Sequence, residues 1–158
     1  MALPPLLVCR SEAEYLAEYE RTYCRGVVMT FDSIRVYFDR DKFRHAFYES
    51  SKRDGVKDRF SPERAQRMRW IESTLICPDA ALYMGWDKGK RRYDASNRVS
   101  VVYEDFVVVI RLRHKEIGVL KGEFVTCYQA DNSIGKIIKS PKWTLEKCMA
   151  EFANKKGR

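Results

Sequence analysis

The chain has 158 residues, 45% of them hydrophobic and 33% charged, which is enough to bury a core and too apolar for an intrinsically disordered chain. Its 30 Lys and Arg against 22 Asp and Glu give a net charge of +8, a balance that favours polyanionic partners. No apolar run reaches the length of a membrane span, and the opening Met1–Val8, broken by Pro4 and Pro5 and without a basic leader, does not read as a signal peptide.

In chain order, Ser11 to Glu14 fits a capping box, and the helix it opens, over about 12–23, sets Tyr15, Leu16, Tyr19 and Tyr23 on one face before Gly26 stops it. Val27–Phe31 and Ile34–Phe38 flank Asp32-Ser33 and read as a hairpin. Asp39 or Asp41 then caps a short helix carrying Phe43, His45 and Phe47. Residues 49–59 are polar and contain Gly55, so they read as a surface loop. Ser61 caps a second helix with Pro62 in its first position, and Pro78 lies just past its end. The period then changes to strands: Ala81–Trp86, Arg91–Tyr93, Val99–Tyr103, Phe106–Leu112 and Gly122–Gln129. Phe106–Ile110 is apolar on both faces, as a covered central strand requires, and Thr144–Lys155 closes the chain as a helix. This order predicts a single α+β domain over 1–158, an antiparallel sheet carrying helices on one side.

Charge is concentrated in three segments. Residues 40–69 hold ten Lys/Arg against five acids, 86–98 five against two, and 136–158 seven against two. Such segments either converge on one groove or form separate solvated faces. The five cysteines (Cys9, Cys24, Cys77, Cys127, Cys148) are odd in number and lack a CxxC spacing, so reduced thiols in a cytoplasmic protein are expected rather than a disulfide framework or a zinc site.

Cleavage of RNA without a metal needs a base for the 2′-hydroxyl, an acid for the leaving oxygen and cations for the phosphate. The chain has two histidines, His45 on the short basic helix and His114 between Arg113 and Lys115. Imidazole titrates near working pH, although a lone helix histidine is more often structural. Thr126 and Tyr128 alternate along one strand and face the same way, while Cys127 faces the other and reads as core. No cue ties a histidine to Cys127, which disfavours a thiol nucleophile. Lys90, Arg91, Arg92 and Tyr93 form a basic strand ending in an aromatic, suited either to phosphate and a stacked base or to a charge-protected sheet edge. Arg64 and Arg67 lie three apart on the second helix and can face one ligand. There is no glycine-rich phosphate loop and no evident pair of acidic metal ligands, so no cofactor is expected.

The helix His45, the run Arg64-x-x-Arg-Met-x-Trp-Ile with Thr74-Leu and Pro78-Asp, the Arg92-Tyr strand and the closing Val125-Thr-x-Tyr together resemble the barnase–EndoU–colicin–RelE (BECR) nuclease superfamily, its phage- and mobile-element-associated members above all. The resemblance covers about residues 34–143. It leaves 1–33 as an N-terminal extension and 144–158 as a closing helix. It implies a four-stranded antiparallel sheet packed on N-terminal helices and a metal-independent, toxin-like RNA endonuclease. The substrate would be RNA, with tRNA among the candidates, and an antitoxin or immunity protein would be the partner. His45 would be the general acid/base, Arg64 with Arg92 and Tyr93 the phosphate contacts, and Thr126 and Tyr128 the strand hydroxyls. Cys127 departs from the small residue expected between them, and Arg91 competes with Arg92. Two other classes compete with this one. The first is a non-catalytic RNA- or DNA-binding protein. The second is a phage or mobile-element interaction module that docks a protein through Tyr15, Tyr19, Tyr23 and Phe31.

Overall fold

The computed structural model describes residues 3–116 and 119–156, and its centre is a six-stranded mixed sheet in the order β1-β2-β8-β7-β6-β5. The strands are β1 (Val28–Met29), β2 (Arg35–Tyr37), β5 (Ala81–Asp87), β6 (Arg92–Tyr103), β7 (Phe106–Glu116) and β8 (Val119–Gln129), with β3 (Tyr48–Glu49) and β4 (Arg59–Phe60) forming a separate ribbon. The architecture is α+β, but two features correct the expectation of about four antiparallel strands. The N-terminal hairpin joins the sheet, and β2 pairs with β8 in parallel through Arg35–Lys121, Val36–Gly122 and Tyr37–Glu123. The expected strands at 91–93 and 99–103 are one strand, β6, whose pairing with β5 is interrupted between Met84 and Gly85.

The helices are α1 (Glu12–Tyr19), α2 (Lys42–Phe47), α3 (Pro62–Ala65), α4 (Met68–Ile76), α5 (Ile134–Ile137) and α6 (Leu145–Lys156). Ser11 caps α1 by accepting from the Glu14 amide, and α1 runs on into a five-residue π turn, Glu20–Cys24. Ser61 caps α3 as expected, accepting from the Arg64 amide. The single helix expected after Ser61 is two helices, because the backbone leaves helical geometry at Arg67. Asp41 stands at the N-cap of α2 but makes no side-chain cap bond. Among the described residues no helix is long and apolar enough to cross a membrane.

One face of the sheet packs on α1, α2 and α4. Tyr19 is fully buried among Phe38, Phe43, Phe47 and Phe124, with centroids 5.7–6.4 Å away and mostly edge-on. Tyr15 donates to the Leu7 carbonyl (3.1 Å) and Tyr23 to that of Met68 (2.6 Å). These three tyrosines are core residues with satisfied hydroxyls, so the aromatic N-terminal docking surface reduces to the exposed Phe31. The other face carries a smaller apolar cluster of Tyr83, Val102, Val107 and Ala130, covered at one end by Ile134 and Ile137 of α5.

Which residues face outward is set by a β-bulge. Val109 pairs with Thr126 but Ile110 pairs with Phe124, leaving Val125 as an extra residue on β8. Strict alternation would put Thr126 and Tyr128 on the core face with Phe124. The bulge reverses the parity, so Phe124 and Cys127 both enter the main core while Thr126 and Tyr128 turn to the opposite face beside Val109 and Val107. By the same alternation Arg98 on β6 and Arg111 on β7 lie on that outer face, their neighbours Val99, Ile110 and Leu112 being core. Gly85 makes room for Arg98: a Cβ there would fall 2.7 Å from the Arg98 Cβ and 3.1 Å from its carbonyl oxygen. Gly85→Ala is therefore expected to destabilise the fold by about 1–3 kcal/mol, read as a lower urea midpoint at unchanged m-value.

Candidate functional site

β2 pairs with β8 only as far as Glu123, so the outer edge of β8 beyond that point is open to α2, which packs there. Arg64 joins the two elements. Its Nε donates to the Ala46 carbonyl at the end of α2 (2.8 Å), and its Nη2 donates to the Cys127 carbonyl of β8 (2.9 Å). A half-buried guanidinium is suited to this, since its fork supplies two donors at fixed spacing to acceptors on separate elements. The adjoining Phe47 and Phe43 anchor α2 from below, which turns His45 outward at the rim of the sheet, exposed to solvent.

The His45 pKa is held below its ordinary value. Partial burial is the first cause, followed by the positive charges of Lys42, Lys57, Arg98 and Arg64. At neutral pH the imidazole is therefore uncharged and able to accept a proton, among cations that can hold an anion beside it. Lys57 is itself shifted down, by burial and then by Arg64, with Glu49 opposing.

Arg98 lies directly opposite Arg111 on the neighbouring strand, and both are exposed. Like charges directly opposite in a sheet repel, and among the described residues neither arginine has an ion-pair partner. Glu123, opposite Arg111, is taken instead by Arg113 (2.8 Å) and Lys121 (3.8 Å). The result is an unneutralised pair of guanidinium groups one row from Thr126. The sequence reading missed both arginines. The signal available was that each alternates with core residues, Arg98 before Val99 and Arg111 between Ile110 and Leu112.

Arg64, Arg67 and Tyr128 line one cavity of about 270 Å³ at the end of β8, with Ser61, Gln129 and Asp131. Arg67 donates to the Glu63 carbonyl (2.5 Å), lies over the Trp70 ring, and leaves a buried Nε without a partner. Burial raises the Tyr128 pKa, opposed by Arg64, so its phenol stays protonated at neutral pH. Burial pushes the Cys127 thiol up to about 12, which keeps it protonated and leaves it a core residue.

Lys90, Arg91, Arg92 and Tyr93 are not brought to His45. They occupy the β5–β6 hairpin, at the far end of the strand order from β8 and α2. Arg92 is bound through two bonds to Glu151 of α6 (3.2 and 3.3 Å), and Lys90 pairs with the fully buried Asp94 (3.3 Å). Tyr93 packs edge-on to Trp86 and accepts from Ser140, and Arg91 sits in the turn at positive φ. Their charge and aromaticity close the hairpin onto α6. His114 lies against Phe152 of α6, remote from the α2 rim.

A scan against protein-family models matches none to this chain, and comparisons with curated proteins and with solved structures find no match either.

Two outcomes test this geometry. Arg64→Leu leaves the Ala46 and Cys127 carbonyls without their donor and is expected to cost about 1–3 kcal/mol per carbonyl, with Arg64→Lys recovering part of it in denaturant titrations. Arg98→Ala should raise the His45 titration midpoint followed by NMR of its ring protons. The same shift fixes a stability slope. Because the folded chain holds the His45 proton less tightly than the unfolded chain, stability rises with pH between the depressed value and about 6.5.

Proposed function

We propose that the chain is a metal-independent, toxin-like RNA endonuclease related in design to the BECR nucleases. The observation that carries the reading is His45: an accessible imidazole kept neutral at the edge of a sheet face that presents unpaired arginines. Neutral His45 takes the proton of a ribose 2′-hydroxyl, that oxygen attacks the adjacent phosphorus, and the bond to the 5′-oxygen breaks to leave a 2′,3′-cyclic phosphate. The departing 5′-oxygen, which leaves on the opposite side of phosphorus, takes its proton from water, and His45 returns its own to solvent. Arg98 and Arg111 bind the non-bridging oxygens as the phosphorus becomes crowded, with the Thr126 hydroxyl as a further donor on that face. This assignment moves the phosphate-binding role from Arg92 to Arg98 and Arg111. Arg64 acts as a positioning residue, fixing α2 and hence His45 against β8.

The cytoplasm is the compartment this reading implies, and an acidic antitoxin or immunity protein is the partner class that would silence such a cationic face. The competing reading is a non-catalytic RNA-binding protein, supported by the same cations.

Purified wild type in EDTA is expected to cut RNA into discrete fragments ending in 2′,3′-cyclic phosphate. His45→Ala should lower the rate by about two to four orders of magnitude with the fold intact by circular dichroism. RNA that is bound in a salt-dependent way but never cut, by either protein, selects the binding reading.

A further inference from the structure

β6 and β7 are paired from the Tyr103–Phe106 turn down to the opposed arginines and no further, although β6 begins at Arg92 and β7 runs to Glu116. The first residues of β6 pair only with β5, through Asp87–Arg92, Trp86–Tyr93 and Gly85–Asp94. Beyond Arg98–Arg111 the two strands therefore part. The gap is a cleft of about 450 Å³ lined by Asn97 of β6, Arg111, Arg113 and His114 of β7, Lys121 of β8 and Lys155 of α6.

Three features of this cleft call for an anion. None of the described residues that line it is acidic. Its polar wall is unfinished: His114 is stacked on Phe152 at 5.1 Å and its Nε2 is buried without a hydrogen-bond partner, a state native proteins rarely leave uncompensated. Its cations are also held in place. Glu123 orients Arg113 and Lys121 from below, Lys121 lies 4.5 Å over the Tyr37 ring, and Lys155 is braced by the buried Asp94 and by Ser96. Arg111 belongs to both places, opposite Arg98 at the candidate active site and in the wall of the cleft. A track of cations thus runs from Arg98 and Arg111 to Arg113 and Lys121, the last two sharing Glu123. From Arg111 to Arg113 it advances two residues along β7, about 7 Å, which a short stretch of single-stranded backbone can cover.

We infer that the splayed β6–β7 cleft is a second phosphate subsite, holding a phosphate of the same single RNA strand a few nucleotides from the bond that is cut. This rests on the nuclease reading and deepens it. The enzyme would select its substrate by strand length and flexibility as well as by the group at the scissile bond, because a paired duplex cannot follow the line across the sheet face.

The test compares a dinucleoside monophosphate with a single-stranded dodecamer as substrates for wild type, Arg113→Gln and Lys121→Gln. The same labelled dodecamer is titrated by fluorescence anisotropy onto each chain carrying in addition His45→Ala, so that it is not cut. The inference expects either cleft variant to weaken dodecamer binding and lower its kcat/KM by about tenfold, the scale of one charge-assisted contact. The salt slope of binding should fall by about 0.7 per lost contact, and dinucleotide cleavage should be unchanged. Equal losses on both substrates, or none on either, overturn the subsite. If no RNA is cut while dodecamer binding still depends on Arg113 and Lys121, the subsite stands and the nuclease reading falls. If both substrates are cut with no dependence on the cleft, the reverse holds.

Discussion

The site depends on the two bonds by which Arg64 ties the last turn of α2 to the edge of β8. A sheet edge with free carbonyls is a template for unwanted pairing, and a helix end leaves acceptors unsatisfied. One guanidinium answers both needs, at a place where β2 has already left β8. It shares the end of α2 with the Ser61 amide, which donates to the Phe47 carbonyl (2.8 Å), above the apolar contacts of Phe43, Ala46 and Phe47, which are strong but not directional. The direction in which His45 points is therefore set by these hydrogen bonds, Arg64's among them, while the energy that keeps α2 on the sheet comes from the aromatic cluster around Tyr19.

Much of this was legible in the sequence, for reasons that can be named. Ser11 and Ser61 are caps because their hydroxyls satisfy amides that a helix cannot. The N-terminal hairpin and the Phe106–Ile110 strand carry their own patterns, and local pattern survives in any tertiary context. Other features are not local. The bulge at Val125 inserts one residue without any glycine to announce it, and it alone decides that Thr126 and Tyr128 face outward together while Cys127 joins Phe124 in the core. The parallel pairing of β2 with β8 links residues more than eighty positions apart, and hydropathy is silent about such a partner. Arg92 is the instructive case. A basic strand with a terminal aromatic has the composition of a phosphate site, but Glu151 lies 59 residues away in sequence and takes the charge of Arg92. Composition gives the charge of a segment and cannot say which of its charges will be neutralised.

The distinction between neutralised and unneutralised charge organises the outer face of the sheet. Glu123 is shared by Arg113 and Lys121, Asp94 by Lys90 and Lys155, and Glu151 is committed to Arg92. Most of these acids sit beside cations that need orienting, whereas Arg98 and Arg111 oppose each other with no carboxylate between them. Two guanidinium groups across a strand pair cost stability in the free protein, and an isolated structural role would be met as well by a neutral side chain. The arrangement becomes favourable once a phosphate lies between them, since each then makes a charge-assisted bond in place of a repulsion.

Arg98 also bears on the state of His45. Burial comes first and Lys42 and Lys57 next, and Arg98, a cation that would bind a phosphate, adds to them in holding the imidazole neutral. When an anion occupies the face, its charge offsets theirs and the imidazole becomes easier to protonate. On the nuclease reading, a bound phosphate thus strengthens His45 as the base toward the 2′-hydroxyl proton.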